Sequence, residues 1–105
     1  MRTIFQPNVD DIKLSDLFYA LSDPIRLEIV SKLAGGGEQS CKTLGIPGAN
    51  STLSHHYKVL REAGVTNTRL DGNQRCISLR RADLDVRFPG LLDAVLSGLQ
   101  GEKEE

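Results

Sequence analysis

The chain contains 105 residues, with 13 Lys and Arg against 14 Asp and Glu, and its formal net charge is −1 with both histidines neutral. Hydrophobic residues make up 39% and charged residues 26%, a balance that predicts one soluble globular domain over residues 1–105 and excludes a wholly disordered or collagen-like chain. No apolar run approaches the roughly 20 residues that span a bilayer, and Met1–Asp10 lacks the features of a signal peptide, so we expect a cytoplasmic protein with no membrane partner.

Charge is distributed unevenly along the chain. Residues 35–82 carry seven basic and three acidic side chains, a net charge of +4, whereas residues 83–105 carry two basic and six acidic ones, a net charge of −4. Attraction to phosphates depends on the local charge of a surface rather than on the net charge of the whole chain. The middle of the chain is therefore the part that we expect to meet a polyanion.

The first predicted helix follows an N-terminal arm of residues 1–9. Apolar residues recur at helical spacing from Ile12 to Leu21, and Asp10 or Asp11 is placed to cap the start of this helix. The helix is expected to end near Ser22.

A second helix is predicted to begin at Asp23 and Pro24. Asp is a favoured N-cap residue, and Pro is tolerated at the first helical position because its missing N–H has no partner there. The triplet Gly35–Gly37 then ends the helix, since glycine adopts the positive φ that closes one.

Two further helices and a tight turn follow. Ser40 can cap a short helix over Cys41–Leu44, which the Ile46–Gly48 turn brings to an end. A longer helix is predicted from Asn50 to Ala63, with Gly64 as its C-terminal glycine. Two helices separated by a Pro-Gly turn, the second polar and basic on its outward face, indicate a helix-turn-helix.

The sequence period changes after Gly64. Val65–Leu70 and Gln74–Arg80 flank an Asp-Gly-Asn loop, which predicts two antiparallel strands and places Cys76 on the more polar face of the second. After Ala82 we expect one last helix with a wide apolar stripe, followed by a frayed end at 101–105. The predicted fold is mainly α: a winged helix-turn-helix with four helices, a β-hairpin wing and a closing helix.

Two stretches carry a resemblance to a known family. ALSDPIRLEIV at 20–30 and STLSHHYKVLREAGV at 51–65 resemble the signature stretches of the ArsR-type bacterial transcriptional regulators. The resemblance runs in order from about Leu14 to Leu99. It implies a homodimeric repressor that binds a palindrome in double-stranded promoter DNA and is released by an inducer, which the sequence does not identify. It also implies a dimer interface formed by the first and last helices, here Leu14, Leu17, Phe18, Leu91, Leu92, Val95, Leu96 and Leu99.

The polar face of the fourth helix is the predicted recognition surface. In a helix-turn-helix, hydroxyl, imidazole and ammonium groups on this face can reach base edges or phosphates in the major groove. The plain alternative is a solvated helix face, but the turn, the wing and the resemblance together favour DNA contact. Asn50 is either an N-cap or a base contact, and Ser54 and His56 bond either to a phosphate or to their own fold. The predicted contact residues are Asn50, Ser51, Thr52, Ser54, His55, His56 and Lys58.

The wing tip is a second candidate contact. Arginines there can enter the minor groove or brace a phosphate, which favours Arg69 and Arg75 over the alternative of a merely solubilising loop. For Asn73 and Gln74 the two alternatives are equally balanced.

The histidines and cysteines are candidates for metal binding or thiol chemistry. Adjacent His55 and His56 point about 100° apart on a helix and cannot chelate one ion together. The metal-sensing branches of the resembled family use paired cysteines on the third helix or Asp and His on the last; this chain has only Cys41 in the former and no His or Cys after residue 82. We therefore expect no metal and no cofactor. Cys41, favoured as thiolate by its helix start, and a partly accessible Cys76 remain as an alternative thiol sensor.

No enzyme motif is present: there is no GxSxG, HExxH or phosphate-binding loop, so we expect no catalysis. One other function class remains open, a winged-helix module that binds a protein through the same fourth helix. That function calls for exposed aromatic or aliphatic anchors, and the outward face offers only Val59. DNA binding is the favoured interpretation.

Overall fold

The computed structural model describes residues 4–103. Its elements are a 3₁₀ turn at Val9–Asp11, α1 at Leu14–Ala20, α2 at Pro24–Gly36, β1 at Gln39–Ser40, α3 at Cys41–Leu44, α4 at Asn50–Ala63, β2 at Thr66–Asp71, β3 at Gln74–Leu79, α5 at Arg81–Arg87 and α6 at Leu91–Lys103. The winged helix-turn-helix prediction is confirmed by this order of elements.

The capping signals of α2 and α3 act as predicted. Asp23 Oδ1 accepts hydrogen bonds from the backbone N–H groups of Ile25 at 2.8 Å and Arg26 at 3.2 Å. Ser40 Oγ accepts one from the N–H of Thr43 at 3.2 Å. For α4, however, Asn50 is already the first helical residue, and the N-cap position belongs to Ala49 without a side-chain cap. The N-cap alternative for Asn50 is therefore wrong.

The start of α1 differs from the prediction. Asp10 and Asp11 lie in the 3₁₀ turn, and α1 begins only after Lys13, which makes no side-chain cap. The reason is Ile12, which is buried with an extended backbone and interrupts the helix. It packs so closely against Gly64 that a Cβ there would lie 2.6 Å from Ile12 Cγ1. Gly64 also has a φ of 92°, so both its conformation and its contact favour glycine.

The wing belongs to a three-stranded antiparallel sheet with the order β1-β3-β2. The hairpin is confirmed, with Asp71 paired to Gln74 across a two-residue loop in which Gly72 has a φ of 62°. The short strand β1 was not predicted. Its residues Gln39 and Ser40 pair with Ile77 and Cys76, which makes β3 the central strand.

The N-terminal arm is tied to the fold by side chains from distant parts of the chain. The Gln6 amide pairs with both backbone groups of Thr68 on β2, donating to its carbonyl at 3.1 Å and accepting from its N–H at 2.7 Å. Arg61, Arg80 and Arg87 donate to arm carbonyls, with Arg61 Nε 3.1 Å from the Phe5 oxygen. The arm is thus an ordered part of the domain from residue 4 onward; residues 1–3 lie outside the described residues.

The predicted single last helix is in fact two helices. Phe88 ends α5, and Gly90, with a φ of 84°, turns the chain into α6. The tail that was expected to fray continues α6 at residues 101–103, where Lys103 Nζ lies 3.3 Å from Ser31 Oγ. Residues 104–105 lie outside the described residues.

Two of the predicted interface residues belong to the core of the chain itself. Leu17 is 1% and Leu92 2% exposed, within a cluster that joins α1, α2, α4, the sheet and both C-terminal helices. Their assignment to a subunit interface is therefore wrong, because each side chain is already covered within one chain. Leu14 and Phe18 are exposed, and Leu91, Val95, Leu96 and Leu99 are half-buried.

Candidate nucleic-acid interface

The outward face of α4 is a stripe of exposed polar side chains. Ser51, Thr52, His55 and Lys58 recur at the spacing of one helical face, and all four are exposed. The opposite face carries Leu60, which is fully buried and fixes α4 to the core. The helix thus offers hydroxyl, imidazole and ammonium groups to a partner while its apolar side holds it in place.

His56 departs from the prediction. Its side chain is buried, with the residue 7% exposed, and its Nδ1 lies 3.2 Å from the Arg26 guanidinium. It faces the α1–α2 junction rather than solvent, because it follows His55 by about 100° around the helix. Its assignment as a DNA contact is wrong, and the alternative of a bond within the fold holds.

A groove with both polar and apolar lining residues adjoins the start of α4. It has a volume of about 530 Å³ and separates α3 and α4 from the wing. Its polar lining includes Asn50 and Ser54, both exposed, together with Lys42 of α3 and Arg75 of β3. The structure thus brings a recognition-helix residue, a wing arginine and a lysine of α3 to one concave surface. Lys42 was not among the predicted contact residues. The sequence signal that could have identified it was a basic residue in the short helix just before the Pro-Gly turn.

The two wing arginines differ. Arg69 donates from Nη2 to Glu38 Oε1 at 2.7 Å and from Nε to Oε2 at 3.2 Å, a two-point ion pair. The hydrogen bond from Arg69 holds the pKa of the Glu38 carboxyl below its usual value, and the carboxylate in turn raises the pKa of Arg69. Arg75 is exposed, as are Asn73 and Gln74. Glu38 was not predicted to bear on the site because 31 residues separate it from Arg69.

Several basic side chains of residues 35–82 are used inside the fold. Arg61 and Arg80 hold the arm, Arg69 pairs with Glu38, and Arg81 Nη1 lies 2.9 Å from Asp93 Oδ1. Burial lowers the pKa of Arg61. Within residues 4–103, three basic side chains of this segment have neither an ion pair nor a side-chain hydrogen bond, namely Lys42, Lys58 and Arg75. These three cations therefore have no internal partner to give up before they meet a phosphate.

The two cysteines lie on opposite faces of the sheet. Cys41 lines the groove with Ile77, whereas Cys76 shares the other face with its register partners Ser40 and Arg69. A disulfide within the chain would therefore require the sheet to rearrange. Cys76 is buried because β3 is the central strand, so the expectation that it is partly accessible is wrong. Burial raises the pKa of the Cys41 thiol, which contradicts the expected thiolate bias.

Residues 4–103 contain neither a metal-binding cluster nor a membrane-spanning helix. They contain no cluster of three or more His, Cys, Asp or Glu side chains that could hold a metal ion. None of the helices in that range is long and apolar enough to cross a membrane.

The fold and the exposed polar face of α4 define a winged helix-turn-helix DNA-binding protein. No protein-family model matches the chain. The chain is 39% identical over 89 residues to YceK, an uncharacterized HTH-type transcriptional regulator of Bacillus subtilis. The aligned residues cover 82% of this chain and 89% of YceK. It is also 39% identical over 74 residues to the arsenical resistance operon repressor of Staphylococcus aureus, covering 70% and 71% of the two chains.

Solved structures agree with these relatives. The transcriptional repressor BigR of Xylella fastidiosa superimposes with a TM-score of 0.63 and 32% identity, covering 80% of this chain and 83% of that one. An ArsR family transcriptional regulator gives a TM-score of 0.64 at 23% identity over 88% and 97% of the two chains, a likeness of fold. The chain belongs to the ArsR family and is a DNA-binding transcriptional regulator; its relatives are regulators, not enzymes.

Proposed function

We propose that the chain is a dimeric repressor that reads an operator through α4 and braces the DNA backbone through Lys42, Lys58 and Arg75. The observation that carries this proposal is the exposed stripe of Ser51, Thr52, His55 and Lys58, because these groups suit base edges and phosphates and the stripe has no apolar anchor for a protein. Two of the relatives are named as repressors, which supports repression rather than activation.

The test begins by selecting a duplex of about 30 base pairs, long enough for two half-sites one helical turn apart, from a random pool with the wild-type protein. Against this selected duplex, Thr52→Ala or His55→Ala should lose about 1–3 kcal/mol of discrimination over random DNA. Asn67→Ala, a similar truncation of an exposed residue on β2, is the control and should change nothing. If no sequence is enriched, sequence-specific binding is refuted and the protein-binding module becomes the better interpretation.

Dimerisation is proposed to use the exposed side of α1 and the outer side of α6. Leu14 and Phe18 are one helical turn apart on α1, and Phe18 is 56% exposed, so a second copy would bury two large apolar side chains. Phe18→Glu should give soluble monomers that bind the selected duplex weakly, since a buried unpaired charge is costly. Light scattering decides between monomer and dimer. A dimeric Phe18→Glu variant, or a monomeric wild type at micromolar concentration, would contradict this interface.

The inducer is proposed to be neither a metal ion nor an oxidant. The placement of Cys41 and Cys76 on opposite faces of the sheet and the raised pKa of the Cys41 thiol both oppose the thiol-sensor alternative. The relatives include an arsenical resistance repressor, but this chain has a single cysteine in α3.

A further inference from the structure

One buried guanidinium, that of Arg26, connects α1 and α2 with the recognition helix α4. Arg26 of α2 is 5% exposed; its Nε donates to the Ala20 carbonyl at 2.7 Å and its Nη2 to the Tyr19 carbonyl at 3.0 Å, both at the C-terminal end of α1. Its guanidinium carbon also lies 5.2 Å from the centre of the Tyr19 ring. Its remaining nitrogen, Nη1, meets His56 Nδ1 of α4 at 3.2 Å.

This contact fixes the chemical state of His56. Arginine is always protonated and offers only donors, so the Nδ1 atom that faces it must be the acceptor. This hydrogen bond therefore requires an unprotonated Nδ1 on His56. A proton on Nδ1 would remove the acceptor and place a second positive charge beside the guanidinium, in a site where water is excluded.

The same nitrogen has a second possible partner. Asp23 Oδ1 lies 4.0 Å from His56 Nδ1, and a protonated Nδ1 could donate to that carboxylate only after the ring moves closer. The charged or titratable groups set against His56 are Asp23 and Arg26 of α2 and His55 of α4, whose ring centre is 5.9 Å away; α1 contributes Tyr19 through Arg26. His56 thus has one arrangement when neutral and a different favoured partner when protonated.

We propose that His56 is a positioning residue for DNA recognition, and that its neutral form, by accepting the Arg26 hydrogen bond, holds α4 at the angle that the operator requires. Protonation moves the imidazole from Arg26 toward Asp23 and releases this hold on α4. The proposal rests on the role of α4 as the recognition helix. It makes operator binding weaken when Nδ1 takes up a proton, because the acceptor for Arg26 is then lost.

The test uses pairs of variants in a His55→Gln background. His55 is exposed on the DNA-facing stripe, and its protonation would strengthen phosphate attraction, so it must be removed from every protein compared. Affinity for the selected duplex is then measured from about pH 8 downward, as far as circular dichroism shows the protein to be folded. The His55→Gln protein should lose about tenfold in affinity once Nδ1 of His56 is protonated, the order expected for a lost buried hydrogen bond. Adding His56→Gln should give a flat profile near the neutral affinity, because an amide oxygen accepts from Arg26 and does not titrate.

A merely structural role would not give this rescue and this pH profile together. Coinciding profiles with and without His56→Gln would overturn the proposal. The ¹⁵N shifts of the His56 ring in the DNA-free protein provide a measurement that does not depend on α4 reading DNA, or on the Gln variant folding. A neutral ring at pH 7.5 with its proton on Nε2 is expected, and a proton on Nδ1 would refute the geometry. If the ring behaves as expected but no duplex can be selected, the assignment of α4 has failed rather than the Arg26–His56 pair.

Discussion

Salt dependence gives the sharpest check on which cations meet DNA. The logarithm of the binding constant falls with the logarithm of salt concentration, with a slope of about −0.9 for each phosphate neutralised. Counting all seven basic residues of 35–82 in a dimer gives fourteen contacts and a slope of about −13. Of the seven basic residues of 35–82, all of them described, the structure leaves only Lys42, Lys58 and Arg75 uncommitted; these are six cations in a dimer and give a slope of about −5.

Arg75→Ala is the perturbation that tests this count. It removes two of the six cations from a dimer, so the slope should become shallower by about 2, with a similar loss of affinity for the selected duplex and for random DNA. Arg81→Ala is the matched control, because Arg81 is equally an exposed arginine but is paired with Asp93 and Asp85. Its slope should equal that of the wild type.

Fluorescence anisotropy of a labelled duplex over a series of KCl concentrations provides the measurement. A wild-type slope close to −13 would mean that the internal arginines leave their partners on DNA, and a flat line would refute the electrostatic basis of binding. Equal effects of Arg75→Ala and Arg81→Ala would show that the distinction between free and paired arginines has no bearing on binding.

Three other predictions follow from single contacts. Glu38→Gln should release Arg69 and tighten DNA binding at low salt, with a slope steeper by up to about 2 in the same titration; an unchanged slope would mean that Arg69 does not reach a phosphate. Asp23→Ala should cost about 1 kcal/mol of unfolding free energy in urea. Burial acts to raise the Asp23 pKa, but backbone hydrogen bonds from Arg26 and Ile25 leave it lowered. The contribution of Asp23 is therefore present above its ordinary value of 3.8 and is lost as the pH falls through the lower folded value; a deficit that does not shrink as the pH falls below 3.8 would contradict this. The Cys41→Ser/Cys76→Ser double variant should bind the selected duplex like the wild type, and neither protein should release it with zinc, cadmium, nickel, arsenite or a mild oxidant; reversible release by wild type alone would identify the thiols as the sensor.

The elements that the sequence predicted correctly are those specified by local signals. Asp23 with Pro24, Ser40, and the glycine of the wing turn act within a few residues of themselves, so their effects can be deduced from spacing alone. Strand β1 has only two residues and exists because it pairs with β3, more than 35 residues further on. The late start of α1 depends on the burial of Ile12 against Gly64, which no local pattern encodes.

The same distinction applies to the site. The exposure of Ser51, Thr52, His55 and Lys58 follows from helical periodicity, and the structure agrees with that expectation. The burial of His56 could not be deduced, because it depends on Arg26, 30 residues away in sequence. Long-range bonds likewise decide which arginines are free: Arg61 and Arg80 bond to arm carbonyls 56 and 73 residues distant. A count of charges along the chain therefore overstates the cations available to DNA.

The pairing of Gln6 with Thr68 has a consequence for how the wing avoids association with itself. Strand β2 lies at the end of the sheet order, and an unpaired edge strand is a template on which another chain can add a strand. The Gln6 amide occupies both backbone groups of Thr68, as a neighbouring strand would, without continuing as a strand that offers a new edge. A chain shortened past Gln6 would leave that edge open, and such a chain should form aggregates through β2 even though its helices remain folded.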